Sequence, residues 1–431
     1  MHSMNTRRVL LGACLFAQAL LYNRALAAEP APSVAQQAAP AVARFVSESL
    51  ATHPMAQASD ATRDAAQARV QAAGQPLYNP ELELGSERTA SRTRTLGLNL
   101  TLDLSGKRTT RAAAAQYELE AAESERAFTR QTLATQLLAD LARHQAARHI
   151  ETLAQRQVEL MERFAQFAEK SHAAGDVGRV EVDLAHLALS EARARRGEIQ
   201  TERLASEEAL RAASSLPPDA WPALPDLLPD VPRDAPQDIA ASAPIEQLAE
   251  LKAQRARVDA ARARVRMAQA EGRPDPTLGV RGGREDDDTL TGVTLSVPLF
   301  VRNSYRAEVA AASQDALREE FTEQDVQRRA RVRLDGALQR YRGAWRTWHD
   351  WQATDRASLA TRAQQLESLW QAGELSATDY LVQVQQSIDA EIQALRVWST
   401  AWNAWFDWLT ASGGVDAWLG SQTTLTARDS E

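Results

Sequence analysis

Two stretches of the chain alternate strictly between apolar and polar residues. From Leu96 to Leu104 every second residue is leucine, and from Val293 to Val301 every second residue is valine or leucine. A period of two gives an extended strand one apolar and one polar face. Weaker alternation precedes each run, near 82–88 and 278–284, so the pattern predicts two strand pairs. Runs of about ten residues suit either tilted membrane-spanning strands or a soluble hairpin packed on a core.

After each strand pair, the spacing of apolar residues changes to alternating threes and fours. No proline occurs in 107–173 or from 301 to the C-terminus, and apolar residues recur there as in Leu160, Phe164 and Phe167. This is the pattern of a coiled-coil seam, and a helix of about 65 residues would be about 100 Å long. Gly175 and Gly373 interrupt the helical pattern and suit helix C-caps. The pattern therefore predicts two long helical hairpins.

The two halves of the chain repeat each other. Residues 95–104 align without a gap with residues 290–299, Asn79-Pro80 aligns with Asp275-Pro276, and Ala174-Gly175 aligns with Ala372-Gly373. We therefore predict a first repeat over 41–214 (strand pair 77–104, tip near 175) and a second over 244–412 (strand pair 277–301, tip near 373). A Pro-rich linker, 215–243, joins them. A tail, 413–431, follows the second repeat.

The N-terminus has the pattern of an export signal. Arg7 and Arg8 precede an apolar run, and Ala25-Leu26-Ala27 suits cleavage, so residues 1–27 are predicted to be a signal peptide. A retained N-terminal anchor is the alternative. Cys14 lies in a sequence that resembles a lipoprotein box, although few apolar residues precede it, which makes it a candidate for lipidation. Residues 28–40, rich in Ala, Pro and Gln, are predicted to be disordered.

Composition excludes several classes of function. With 49 basic and 57 acidic residues the net charge is −8, which argues against a nucleic-acid binder. Mean hydropathy of −0.40 argues against a polytopic helical membrane protein. One cysteine and seven scattered histidines show no metal-ligand spacing, and no hydrolase, Walker A or dinucleotide motif occurs. We therefore expect no catalysis, no cofactor and no resident metal.

The strand count has a consequence if the strands lie in a membrane. Four strands are too few to close a barrel, which needs about eight or more. An open sheet edge cannot lie in lipid, because its backbone groups would lack hydrogen-bond partners. Three copies would supply about twelve strands and remove every edge. The pattern therefore favours an oligomer.

The strand-to-helix junctions resemble those of a known family. Leu102 to Arg108 and Val297 to Asn303, with the turns after Gly175 and Gly373, are similar to the TolC-like outer-membrane efflux family over about 41–412. The resemblance implies a mainly α fold with a small β part: a homotrimeric α-helical barrel continued by a 12-stranded outer-membrane β-barrel, with four strands per chain. It also implies outer-membrane lipid around the strands and helices extending into the periplasm. The partners implied are a periplasmic adaptor (membrane fusion protein) and an inner-membrane pump of the RND type.

The resemblance also implies roles for residues at the tips. The candidates for adaptor docking are Gly175, Asp176, Arg179, Gly373, Glu374 and Ser376. Glu181 and Asp379 are the candidates for an acidic pore constriction, whereas Leu184 and Val382 stand where the family often has further carboxylates. A ring of such acids would attract cations. Alternatively, each acid only stabilises the first turn of its helix. Pairing of Arg179 with Glu181 would close the aperture.

The function that follows is a passive duct of a tripartite efflux system. The first junction is similar to the heavy-metal cation branch, although one glycine, Gly106, stands where that branch often has two, so metal cations are the expected substrate. A type I protein secretion duct is an alternative within the same fold. A soluble periplasmic coiled-coil adaptor or scaffold is an alternative of another class, and it would show neither duplication nor membrane-length strand pairs.

Two further features lead to expectations about packing and about the outer loops. Folding the second hairpin about residue 375 would place Trp345 opposite Trp405. The acidic run 285–288 lies in the second strand-pair loop and is either solvated or a binder of divalent ions that bridge lipopolysaccharide.

Overall fold

The computed structural model describes residues 37–89, 91–231, 245–353 and 365–420. The predicted signal peptide, Cys14 and most of 28–40 lie outside these ranges. In chain order the elements are α1 Pro40–Thr52, α2 Pro54–Gly74, β1 Glu81–Arg88, β2 Arg92–Thr101, α3 Lys107–Ala174, α4 Arg179–Ser214, α5 Ala249–Glu271, β3 Thr277–Glu285, β4 Asp288–Ser296, α6 Arg306–Ala353, α7 Ala377–Ser412 and α8 Val415–Leu419. Residues 365–371 are also helical. The predicted fold class, mainly α with a small β part, is confirmed.

The four strands form one antiparallel sheet in the order β1-β2-β3-β4. The central pair, β2 with β3, joins the first half of the chain to the second, with Leu98 opposite Val280. Strands β1 and β4 are the free edges. β2 ends at Thr101 and β4 at Ser296, before the alternating sequence ends. In the second case Pro298 follows, which has no N–H to continue a ladder.

Helix α3 is the longest element, with 68 residues or about 100 Å. It begins where the Asp103 carboxylate accepts backbone hydrogen bonds from Lys107 and Arg108, at 2.9 and 2.8 Å. It ends at Gly175, whose φ of 87° only glycine adopts at low cost. Along its length α3 contacts α2, α4, α5 and α7. It is therefore the central rod on which both halves of the chain pack.

An aromatic cluster holds the helices together midway between the sheet and the tips. It is built from Trp398, Trp402, Trp405, Phe406 and Trp418, all of which are buried. The ring of α6 that faces Trp405 is Tyr341, at 4.9 Å between centroids, one turn before the expected Trp345. The reason is the turn: Tyr341 and Trp405 are equally far along the chain from Gly373, so the hairpin reverses there rather than at 375.

Candidate functional site

One face of the sheet is apolar and exposed. It carries the leucines and valines of all four strands except Leu290, and those of the edge strands are the most exposed: Leu84 at 76% and Val293 at 75%. On the central strands Leu98 is still 49% exposed. No element in the described ranges covers this face. Apolar area on this scale is costly in water and marks a surface that contacts lipid or another chain.

The opposite face of the sheet is polar and mainly acidic. The register puts one basic residue there, Arg281, between Gly97 and Gly292 on the neighbouring strands. The glycines leave room for the guanidinium, whose Nε would lie 3.1 Å from a Cβ at Gly292. Asn99 donates a hydrogen bond to Glu83 at 3.0 Å. The carboxylates on this face are Glu81, Glu83, Glu87, Glu285 and Asp288.

The turns that join the strands are tied to each other by the acidic run. The backbone N–H of Arg92 donates to the Asp286 carboxylate at 2.9 Å, and that of Asp286 donates to the Arg92 carbonyl at 3.0 Å. Ser91 donates to the Glu285 carboxylate at 2.5 Å. Half of the acidic run therefore fixes the turns, while Asp287 and Asp288 are exposed to solvent.

A buried ion pair lies where the sheet meets the helices. The Asp275 carboxylate, 3% exposed, is 2.9 Å from the Lys107 ammonium and accepts a hydrogen bond from the Tyr78 hydroxyl at 2.9 Å. Tyr78 precedes β1 and Lys107 is the first residue of α3, both in the first half of the chain, whereas Asp275 precedes β3 in the second half. This cluster therefore holds the two halves together. Sequence reasoning missed it, although Asp275 stands where the first repeat has Asn79.

At the first tip, Gly175 and Asp176 are exposed and close the end of α3. Their N–H groups donate to the carbonyls of His172 and Ser171, at 3.0 and 2.9 Å. Arg179 opens α4, and the Glu181 carboxylate folds back against Gly178 at the helix start. Within the described tip no ion pair joins Arg179 to Glu181.

At the second tip, Gly373 adopts a φ of 75° and Glu374 is exposed. Ser376 is the N-cap of α7: it accepts the Asp379 N–H at 3.1 Å and donates to the Asp379 carboxylate at 2.7 Å. Asp379 is therefore part of a helix cap, as the structural alternative expected, and its side chain is also exposed. A role of the Asp379 carboxylate in the helix cap is therefore compatible with a role in a pore constriction.

An aromatic stack holds the two hairpins together just above the tips. Phe164 of α3 lies 4.7 Å from Trp370, which stacks on Tyr380 of α7 at 5.0 Å between centroids. Burial, with a smaller contribution from Glu367, raises the pKa of Tyr380 to about 12. Both tips are thus held at the same end of the helices. Sequence reasoning missed this stack, and also the exposed carboxylate of Asp183, two residues after Glu181.

The described ranges contain neither a metal-ligating cluster nor a membrane-spanning helix. No group of three or more His, Cys, Asp or Glu side chains there is placed to hold a metal ion. No helix in those ranges is both long and apolar enough to cross a membrane.

Comparison with known proteins identifies relatives of this chain. Residues 45–215 match the family model described as outer membrane efflux protein. The cobalt-zinc-cadmium resistance protein CzcC of Cupriavidus metallidurans is 28% identical over 258 residues, 57% of this chain and 60% of the relative. The match therefore spans less than two thirds of that relative.

Solved structures share the fold. The Campylobacter jejuni CmeC outer membrane channel superposes with a TM-score of 0.73 at 15% identity, covering 90% of each chain. CusC, described for its folding and transmembrane channel formation, superposes with a TM-score of 0.69 at 16% identity, covering 89% of this chain and 94% of that one. Sequence motifs, family match, relative and fold agree. The chain is therefore similar to the outer membrane efflux protein family over residues 45–215 and shares the fold of solved outer-membrane channels.

Proposed function

We propose that this chain lies in the outer membrane, extends into the periplasm and forms, as a homotrimer, the passive exit duct of a tripartite efflux system. The observation that carries the proposal is the sheet: it is apolar on one face, acidic on the other, open at both edges and continuous with long helices, of which α3 is about 100 Å long. An open edge is not stable in lipid, so the sheet needs a partner for β1 and for β4. Further copies of the chain supply both partners.

The internal repeat supports this assembly by giving a register for it. Leu98 is opposite Val280 within the chain. In the repeat alignment Leu98 corresponds to Val293, and Val280 corresponds to Leu84. Val293 of one copy would therefore lie opposite Leu84 of the next. The same reasoning places Leu295 opposite Leu82. The apolar face then continues unbroken from copy to copy, as closure of a barrel in lipid requires.

Closure of the sheet in this way would turn its polar face inward. Five carboxylates and one guanidinium per chain would then line the lumen, which favours cations over anions. The CzcC relative is named as a resistance protein for cobalt, zinc and cadmium, and this name also points to cations as the substrate class. We therefore propose divalent metal cations as the substrate.

The tips are the proposed docking site for a periplasmic adaptor that links the duct to an RND-type inner-membrane pump. Exposed Asp176, Arg179 and Glu374 offer charged groups on rigid turns capped by Gly175 and Gly373. Ser376 fixes the start of α7. Glu181 and Asp379 are the proposed constriction. Both lie in the first turn of their helices, and the hydrogen bond from Ser376 limits how far the Asp379 carboxylate moves.

A selectivity measurement tests this function. The purified protein is reconstituted in planar bilayers, and the cation-to-anion permeability ratio is compared with that of Glu181→Gln/Asp379→Asn. Ser376 remains the N-cap of α7, and the amide oxygen of an asparagine can still accept the Ser376 hydroxyl hydrogen bond, so the fold is kept. We expect the ratio to fall in the variant and to stay unchanged in the control Glu48→Gln/Glu208→Gln, which removes the same charge elsewhere. Absence of any conductance, or anion preference in the unmodified protein, contradicts the proposal.

A cellular arm tests the substrate. Deleting the gene should sensitise the host to zinc, cobalt or cadmium more than to organic drugs, and the unmodified gene should restore resistance. Unchanged tolerance to all of these metals, with increased sensitivity to drugs, would show that the duct serves a different pump.

A further inference from the structure

Four arginines lie together on the apolar face of the sheet, at the end where the strands turn. In the register, Arg88 of β1 is directly opposite Arg92 of β2, and Arg94 of β2 is directly opposite Arg284 of β3. We call these four residues the arginine rows. They share their face with Leu84 and the other apolar residues, and all four are exposed.

The arginine rows begin one step beyond the apolar band. The row of Arg94 and Arg284 follows the row of Leu84 and Leu96 toward the turns. Leu100 to Arg94 is about 20 Å along the strand, close to the height of an outer-membrane apolar band. The helices that extend into the periplasm leave the sheet at its other end. The arginine rows therefore lie at the level of the headgroups of the outer leaflet.

The arginine rows carry more positive charge than the neighbouring carboxylates offset. Like charges directly opposite each other on a sheet are destabilising. In the described part of the chain, none of the four guanidiniums forms an ion pair with a carboxylate. Glu87 and Glu285 of the same strands occupy the opposite face. The Asp286 carboxylate lies beside Arg92 and accepts its backbone N–H, so one carboxylate adjoins four guanidiniums. An anion from outside the chain is what would offset this repulsion.

The neighbours of the arginines define the kind of anion. Ser86 and Thr289 flank Arg94 and Arg284 in the same cross-strand row, so two hydroxyls border two guanidiniums. Guanidinium forks and hydroxyl donors match the oxygens of a phosphate, and arginine binds phosphate in a bidentate manner. The apolar band next to the row would hold acyl chains. A phosphate that carries acyl chains satisfies both halves of this surface, whereas free phosphate satisfies only one.

We propose that the arginine rows bind the phosphate groups of phosphorylated lipids in the outer leaflet of the outer membrane. This binding goes beyond the proposed conduction of metal ions and rests on the proposed location of the sheet in the outer membrane. It would fix the height and tilt of the duct in the bilayer. Basic residues at a bilayer surface gain in the same way from anionic headgroups.

A lipid-binding experiment tests the proposal. The detergent-purified protein is titrated with bisphosphorylated lipid A in mixed micelles, and bound lipid is counted by native mass spectrometry. We expect Arg94→Gln/Arg284→Gln to weaken binding about tenfold, because two charge-assisted contacts are lost. Arg94→Lys/Arg284→Lys should retain most of the binding. The control Arg266→Gln/Arg331→Gln removes the same charge from helices and should bind as the unmodified protein does.

Three further arms separate the possible sources of binding. Lipid A stripped of its phosphates should bind the unmodified protein no better than intact lipid A binds the Gln variant. Inorganic phosphate should compete only weakly with lipid A, and EDTA should leave the binding of lipid A unchanged. Loss of binding in EDTA would point instead to divalent ions held by Asp287 and Asp288, and it would overturn the proposal. Equal binding by the Gln variant and its control would also overturn it.

The stability of the lipid-free protein gives a second readout. Without lipid, at low salt, the Gln variant should melt no lower than the unmodified protein, because repulsion between paired arginines is relieved. Lipid A should then raise the melting temperature of the unmodified protein more than that of the variant. A variant that melts lower without lipid, and gains as much from lipid, would contradict the proposal.

Discussion

Replacing Asp275 with asparagine is expected to loosen the junction between the sheet and the helices. The carboxylate is 3% exposed and is 2.9 Å from both the Lys107 ammonium and the Tyr78 hydroxyl. Breaking a buried ion pair by removing one partner costs about 3–5 kcal/mol. Because the Lys107 side chain is 14% exposed, its ammonium can partly rehydrate, which puts the expected cost near the lower end, about 3 kcal/mol. At about 2 °C per kcal/mol, the melting temperature should fall by about 6 °C.

The assay is thermal unfolding of the detergent-purified protein, followed by circular dichroism at pH 7.5. Asp275→Asn, Lys107→Met and the double variant form a cycle whose coupling energy should be about 2 kcal/mol. Asp64→Asn breaks an exposed pair with Arg63 and serves as the control, with an expected change below about 0.5 kcal/mol. A coupling below about 0.5 kcal/mol would refute the role assigned to the pair.

Two further predictions concern the sheet and the aromatic region of the helices. Gly283→Ala should disrupt pairing of β2 with β3 and lower the yield of folded protein in the membrane. The reason is that the added Cβ would lie 3.0 Å from backbone carbons of Arg94 and Thr95. Gly282→Ala is the matched control and should fold normally, because its added Cβ would lie 3.8 Å from the nearest backbone atom. Burial raises the pKa of Glu391, and Arg156 only partly offsets this. The ionised carboxylate therefore costs stability above its folded pKa, so Glu391→Gln should raise the melting temperature at pH 8 and give no gain below about pH 4.

The sequence predicts the fold well where local pattern decides the structure. A period of two places the apolar residues of the strands, apart from Leu290, on one face, and the register preserves that face from Leu82 through Leu98 to Val293. The glycines at 175 and 373 were recognisable because αL caps require residues that tolerate positive φ. Duplication added the long-range order of the elements.

Contacts between distant segments were not predictable in the same way. Tyr78 and Asp275 are 197 residues apart, and nothing local signals that they meet. The aromatic pairing of Tyr341 with Trp405 depends on where the hairpin reverses, which the periodicity leaves uncertain by a turn. The pairing of Arg88 with Arg92 depends on the length of one tight turn, and that of Arg94 with Arg284 depends on the register between β2 and β3. A slip of one residue would move an arginine to the other face.

The most direct test of the central claim is a cross-link between the two free edges of the sheet. Leu84→Cys and Val293→Cys are introduced together into a Cys14→Ser background, and membranes are treated with a short bifunctional thiol reagent. Opposed residues on paired strands have Cβ atoms about 4.5–5.5 Å apart, within reach of such a reagent. The account predicts a covalent trimer on a denaturing gel with Leu84→Cys/Val293→Cys, and little product with Leu84→Cys/Thr294→Cys, which places the thiols on opposite faces. Only monomer, or a ladder that continues beyond trimer, would contradict closure of the sheet by three copies.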